Sequence, residues 1–390
     1  MPTPFSAPDF LGLDALLTPE EVEIRSQVRA FVTDRVIPGA GARYEEGSFP
    51  EELIAPMGEL GLYGPTLPER YGCAGVIAVA YGLICQELER GDSGLRSFAS
   101  VQGSLVMWPI HAFGSDEQKD EWLPRLATGE AIGCFGLTEP DAGSDPGAMK
   151  ARAARDGDDW LITGRKMWIT NGSVADVGIV WARTDDGIRG FVVDTTLPGF
   201  DAPEQKHKWS LRSSVTSELV LDGVRVPDSA RLPGAEGLRA PLSCLTQARY
   251  GIAWGVLGAA MACYDEALSY AGERIVFERP LSSFQIPQTK IAQMLTDITL
   301  GQLIALRLGR LKDEGAMTPD MVSMAKRNNV EKALEIARTC RDMLGANGIS
   351  LEYQVGRHLM NLETVKTYEG THDIHTLALG AAATGQSAFR

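Results

Sequence analysis

Glu369 is the residue on which a chemical argument can start. It lies in the stretch Tyr368–His375, YEGTHDIH, the densest polar cluster of an otherwise apolar C-terminal region. Before it, RDMLGANGIS (341–350) breaks a long helical run. After it, TLALGAAATG reads as a small-residue helix. Glu369 is therefore expected at a loop-to-helix junction, where Gly370 lets backbone approach a ligand closely. A carboxylate there can act as a general base if a dry pocket tunes it. The plainer alternative is an acid that starts a helix. His372 and His375 stand at i,i+3, but two nitrogens without a third nearby ligand make no metal site.

Other stretches mix polar side chains with turns. GLTEPDAGSD (136–145) offers backbone amides and small hydroxyls that can hydrogen-bond a heteroaromatic ring or a phosphate. In WIT (168–170), Trp168 can stack on a flat ring and Thr170 can donate a hydrogen bond; strand packing explains both equally well. ERIVFERP (273–280) places Arg274 and Arg279 around Phe277, a set suited to a pyrophosphate and adenine, or to the cationic end of a helix. The GANG turn (345–348) either approaches a ligand or ends a helix. Arg249 lies in an apolar helix face, more often the mark of a buried salt bridge than of a ligand. Glu89, Arg90, Asp92 and Arg96 form an alternating-charge turn between apolar helices, and a solvated surface is the simple reading.

Three segments position these residues. Up to residue 130 the pattern is helical. Thr18 and Glu21 form a capping box with Pro19 at the first helical position, and that helix should run to about Val36. Helices follow over 50–61, from Val76 to Arg90, from Arg96 to Phe113 with a kink at Pro109, and over 115–130. From 131 to 238, β-branched and aromatic runs separated by turns indicate an antiparallel β domain, a sandwich or small barrel, with Asp222–Gly223 as a turn. From 239 to 390 a Gly/Ala-rich helix, two further long helices and one after YEGTH make a four-helix bundle. The fold class is α+β, with the β domain inserted between helical regions that pack together.

Composition bounds the function. The chain has 390 residues, 44% hydrophobic and 23% charged, with a formal net charge of −14. That balance argues against a protein whose main task is gripping nucleic acid. No apolar run approaches the ~20 residues of a membrane span. The N-terminus lacks a secretory or organelle signature, so a cytoplasmic protein is expected. The cysteines at 73, 85, 134, 244, 263 and 340 have no paired spacing and read as buried small hydrophobes.

Six stretches in this order carry a family resemblance over nearly the full length: MGELGLYGPTLPERYGCAGV (57–76), ELERGDSGLRS (87–97), GCFGLTEPDAGSD (133–145), KMWITNG (166–172), ARYGIAWGVLGA (248–259) and TYEGTHDIH (367–375). With them the chain resembles the acyl-CoA dehydrogenases, and among these the members that oxidise glutaryl-CoA. The resemblance implies a homotetramer, one FAD per subunit, an acyl-CoA substrate and electron-transfer flavoprotein as electron acceptor. It implies that Glu369 removes the pro-R α-proton while hydride leaves the β-carbon for flavin N5, with Tyr368 and Gly370 beside the substrate. Phe135, Leu137 and Thr138 resemble pyrimidine-side flavin contacts, and Trp168, Ile169 and Thr170 resemble ring contacts. Arg274, Phe277, Gln285, Gly345 and Gly348 resemble an adenosine-pyrophosphate grip across a subunit interface, and Thr371 a further cofactor contact. Ser144 and Arg249 resemble coenzyme A contacts. Arg96, with Ser97 and Glu89, resembles the group that holds a distal carboxylate. The implied reaction is dehydrogenation of glutaryl-CoA with decarboxylation to crotonyl-CoA. The alternatives are another short-chain or dicarboxylic acyl-CoA, or a non-catalytic acyl-CoA-binding protein. Two departures from the family pattern bear on the FAD grip: Ala346 stands where a glycine is usual, and Glu278 where one is commoner.

Overall fold

The computed structural model describes Phe5 and residues 7–389. Helix α1 (Pro19–Phe31) begins as expected: the Thr18 hydroxyl accepts the Glu21 N–H at 3.2 Å, and the Glu21 carboxylate accepts the Thr18 N–H at 2.8 Å. The helical path does not end at Val36. It widens into a π-turn over Val32–Val36 and continues as α2 (Ile37–Glu46). Pro38 has no N–H to offer, and the wider turn before it absorbs the missing bond. The short α3 (Ile54–Glu59) and the long α4 (Ala78–Gly91) follow. The device recurs between α5 (Ser93–Ser100) and α6 (Trp108–Phe113), where a π-segment over Val101–Met107 precedes Pro109. Helix α7 (Asp116–Thr128) opens on a second capping box, Ser115 with Gln118.

The middle of the chain is one seven-stranded sheet. Its strands are β1 (Gly133–Gly136), β2 (Arg152–Asp156), β3 (Asp159–Thr170), β4 (Val177–Thr184), β5 (Gly187–Asp194), β6 (Phe200–Asp201) and β7 (Thr216–Pro227). The order is β1-β4-β2-β3-β7-β6, with β5 on the other edge of β4. Most pairings are antiparallel as expected, but β1 and β2 both run parallel to β4, with Gly133 opposite Val177 and Arg152 opposite Arg183. A strand that enters straight from a helix carries no hairpin turn to announce its direction. Asp222–Gly223 is not a chain reversal either. These two residues face Thr163 alone, a bulge inside β7 made possible by Gly223 at φ 64°. A second register shift on β3, between Lys166 and Ile169, takes Met167 and Trp168 off the ladder.

The C-terminal part holds α8 (Arg239–Glu273), a hairpin of β8 (Ile275–Val276) and β9 (Arg279–Pro280), then α9 (Gln285–Asp313), α10 (Pro319–Met343), α11 (Gln354–Thr367) and α12 (His372–Thr384). Helix α11 is absent from the four-helix expectation. Its buried face mixes Arg357, His358 and Asn361 with Val355, Leu362 and Val365, which blurs the apolar period. Among the described residues no helix is long and apolar enough to cross a membrane. All six cysteines are buried and free.

Helices from the two ends of the chain share a core, because α8 packs along both α4 and α10. Glycines on α8 permit the close approach. A Cβ at Gly258 would lie 1.8 Å from the Gln86 carbonyl oxygen, and one at Gly255 would lie 2.2 Å from Glu89 Oε2. Gly258→Ala must push two helix backbones apart, and overpacking of this kind costs about 1–3 kcal/mol. A thermal melt is expected to show a lower Tm for Gly258→Ala. Gly272→Ala, on the same helix with nothing within 4 Å of the new Cβ, should show no loss.

Candidate active site

Glu369 occupies the turn between α11 and α12. It is in the left-handed region at φ 53°, and Gly370 follows at φ 91°. Three basic side chains gather round this turn. Arg249 Nε donates to the Glu369 carbonyl at 2.7 Å. Lys326 Nζ donates to the carbonyls of Tyr368 and Gly370, the latter at 2.7 Å, and lies 3.5 Å from that of Glu369. Arg96 Nη2 donates to the Tyr368 hydroxyl. The Glu369 carboxyl is turned inward, and its Oε2 is buried without a hydrogen-bond partner. Burial raises its pKa above the usual carboxylate range, while Lys326, Arg96 and Arg249 pull it back. Residue 370 must be small as well as flexible: a Cβ there would lie 2.8 Å from His375 Nε2 and 3.2 Å from Arg249 Nη2. His375 is held by Ser323 at 3.1 Å, and burial pushes its pKa down to about 3, so it is neutral.

The charged turn after α4 is not a solvated surface. Glu89 and Arg96 are fully buried, and Arg90 and Asp92 nearly so. Arg96 Nε donates to Glu89 Oε2 at 2.6 Å, in space left free by Gly255. Arg96 Nη1 and Glu89 Oε1 have no partner. Burial raises the Glu89 pKa, with Arg96 opposing. Ser97 is buried next to this pair in the chain. Asp92 caps α5 through the Gly94 N–H at 2.7 Å and takes Ser213 Oγ and Arg357 Nη1, each at 2.9 Å. Among the described residues Arg249 makes no salt bridge, the plainer of its two readings; its hydrogen-bond partner is a backbone carbonyl.

In the sheet, two loops are locked together. The Met167 N–H donates to the Thr138 carbonyl at 2.8 Å. Lys166, fully buried, donates to the Leu137 carbonyl at 3.1 Å and to Glu139 at 2.8 Å. Glu139 also accepts the Lys150 and Ala151 N–H groups at 2.6 and 2.9 Å. The side chains of Phe135, Leu137 and Ile169 belong to the core, so only their backbones can meet a ligand. Trp168 is not strand packing: it is off the ladder at φ 62° and 62% exposed. Thr138 and Thr170 are half-buried and Ser144 is exposed. The Trp168 N–H donates to Gln205 at 3.2 Å. The segment that follows Gln205 is tied to α11, with the Leu211 N–H on Asn361 at 2.8 Å and Thr364 on Ser210 at 2.6 Å. Helix α11 thus couples the sheet to the Glu369 turn.

Arg274, Phe277 and Gln285 face outward in the single chain. Phe277 and Glu278 form the tip of the β8–β9 hairpin at φ 46° and 67°. Positive φ at a non-glycine residue costs about 1–3 kcal/mol. Gly345, at φ 60°, is exposed with open space above it, so it can approach a ligand. Gly348 instead serves packing, since a Cβ there would lie 2.1 Å from the Arg341 carbonyl. The Thr371 hydroxyl caps α12 by accepting the Ile374 N–H at 3.2 Å. Among the described residues no group of three His, Cys, Asp or Glu could hold a metal ion.

Sequence reasoning missed Lys326, Asn361 and the Lys166–Glu139 pair. Lys326 had a signal: it falls on the apolar stripe Val322, Lys326, Val330 of α10, where a lysine needs a partner.

Known proteins agree with this architecture domain by domain. The acyl-CoA dehydrogenase N-terminal domain matches residues 18–130, the middle domain 134–224 and the C-terminal domain 235–384. Glutaryl-CoA dehydrogenase of Desulfococcus multivorans is 37% identical over 374 residues, covering 93% of this chain and 96% of that protein. A crystal structure of glutaryl-CoA dehydrogenase from Mycobacterium smegmatis is 61% identical at a TM-score of 0.97, covering 99% of this chain and 100% of that one. A glutaryl-CoA dehydrogenase structure from the same organism in complex with FADH2 is 55% identical, with the same TM-score and coverage. With all three domains matched in order, the chain belongs to the acyl-CoA dehydrogenase family.

Proposed function

We propose that this protein is an FAD-dependent dehydrogenase of glutaryl-CoA that also releases CO₂ and forms crotonyl-CoA. One observation carries the reading: the unpartnered, buried Glu369 Oε2 stands close in the chain to Tyr368, whose hydroxyl binds Arg96, and Arg96 keeps a buried nitrogen free. A base and a carboxylate receptor are thereby joined through one tyrosine.

The Glu369 carboxylate takes the α-proton. That proton is too weakly acidic for a wet carboxylate, so the site must be dry and must stabilise the developing enolate. The Glu369 backbone N–H is one donor for the thioester oxygen. Arg96 Nη1 receives the distal carboxylate and fixes which carbons face the base. FAD, when bound, supplies the hydride acceptor for the β-carbon. The residues present fit that group. Trp168 offers an exposed flat face beside Thr138 and Thr170, and exposed Arg274 and Phe277 suit its pyrophosphate and adenine across the interface of a homotetramer. The dehydrogenated thioester can then lose its γ-carboxylate as CO₂, because the electron pair left behind delocalises to the thioester oxygen. Glu369, now protonated, returns its proton to the γ-carbon.

The purified protein is expected to be yellow, with about one FAD per chain. A colourless protein that gains no flavin absorbance on reconstitution would contradict this. The deciding assay compares turnover of glutaryl-, butyryl-, isobutyryl- and isovaleryl-CoA with electron-transfer flavoprotein as acceptor, measuring CO₂. Glutaryl-CoA should be strongly preferred, with CO₂ released once per turnover. Preference for butyryl- or a branched acyl-CoA would leave a dehydrogenase of another substrate.

A further inference from the structure

A cation buried in the packed face of a helix needs a reason, because desolvation is costly unless the charge is fully partnered. Lys326 on α10 is 2% exposed, and no carboxylate is bonded to it. Its partners are the carbonyl oxygens of three consecutive residues, Tyr368, Glu369 and Gly370. Three successive carbonyls converge on one point only because Glu369 and Gly370 are both at positive φ. For Glu369 that conformation costs about 1–3 kcal/mol and persists only where the surroundings impose it. A cation just past the C-terminal end of α11 is also favoured by the helix dipole.

We propose that Lys326 is a positioning residue for the base: by binding the carbonyls of residues 368–370 it holds the left-handed turn that aims the Glu369 carboxyl inward. The inference rests on the assignment of Glu369 as base. Lys326 reaches the carboxyl through the backbone and through space, and touches no reacting atom. Arg249 holds the Glu369 carbonyl from α8 but reaches neither flanking one with a hydrogen bond, so it cannot replace Lys326 at the turn.

The groups facing Glu369 set the direction of the pH effect. They are Lys326 from α10, Arg96 from α5 and Arg249 from α8. His375 from α12 is neutral, Glu89 from α4 is taken by Arg96, and His372 faces Glu331, which is itself bonded by Lys366. All three favour the ionised carboxylate when charged; burial lowers the Lys326 pKa to about 7, so it carries its charge on the acid side, where the limb is read. Removing one raises the proton affinity of Glu369, so activity is lost at a higher pH as pH falls.

The test uses the full-length holoenzyme, with stopped-flow flavin reduction by glutaryl-CoA measured against pH. Lys326→Met removes donors and charge; Lys326→Gln keeps two N–H donors and removes the charge. Flavin content and a thermal melt report folding. For Lys326→Met the limiting reduction rate should fall roughly 100-fold, as expected for a misplaced base, with substrate affinity changed far less. The acid limb should move up by at least about one pH unit. Lys326→Gln should shift the limb in the same direction and recover part of the rate at high pH. It also provides the measurement if the Met variant does not fold. A folded Lys326 variant with an unmoved acid limb and a wild-type limiting rate overturns the proposal, whatever its Tm. Glu369→Gln runs alongside. If it is inactive while the Lys326 variants behave as wild type, the base stands and only the role of Lys326 falls. If Glu369→Gln reduces flavin normally, both assignments fall.

Discussion

Glu369→Gln is expected to keep FAD and bind acyl-CoA, yet to reduce the flavin at least roughly 10³-fold more slowly than wild type. General base catalysis alone is worth ~10²–10⁴-fold. No second carboxylate stands ready. Glu89 is held by Arg96 at 2.6 Å, and His375, whose Nε2 has no partner, is a weak base because burial pushes its pKa down to about 3. The amide is nearly isosteric and removes a buried carboxylate whose Oε2 lacks a partner, so the fold should not suffer. Stopped-flow flavin reduction with glutaryl-CoA measures the effect. A rate near wild type would mean that another group takes the proton. In the wild-type enzyme, burial raises the Glu369 pKa, so activity should fade on the acid side at a pH above the ordinary carboxylate range.

Arg96→Met should abolish the preference for glutaryl-CoA. The guanidinium is fully buried, with Nε on Glu89, Nη2 on Tyr368 and Nη1 free. A free donor in a dry pocket discriminates strongly, because a substrate without the matching acceptor leaves it unpaired. Loss of roughly 100-fold or more in kcat/KM for glutaryl-CoA is expected, with butyryl-CoA turnover much less affected. The substitution also strands the Glu89 carboxylate, and an unpaired buried charge costs about 3–5 kcal/mol. The double variant Glu89→Gln/Arg96→Met removes that penalty and should recover Tm without recovering glutaryl-CoA turnover. If the double variant still prefers glutaryl-CoA, another residue holds the distal carboxylate.

Some of this was legible without a structure. The capping box at Thr18, the helix that begins at Ser115, the strand Asp159–Thr170 and the placement of Glu369 between helices are local matters. A capping box needs only a hydroxyl and a Glu or Gln three residues on. The stretch around Arg96 was chemically marked, yet its charges read as a surface because alternating signs usually are one. Only tertiary packing decided otherwise: Gly258 lets α8 close against the α4 backbone, and Gly255 leaves the space in which Glu89 and Arg96 meet. Helix α11 escaped the apolar period because Arg357, His358 and Asn361 are buried, the first and last of them bonded to partners that lie far away in sequence. The bulge at Met167–Trp168 was invisible because it depends on where β7 pairs with β3. Lys326 shows the division most plainly. Its sequence position marks a lysine that must be satisfied. That the satisfaction comes from three carbonyls of the Glu369 turn depends on two left-handed residues some forty positions away, and such long-range backbone geometry leaves no periodic trace.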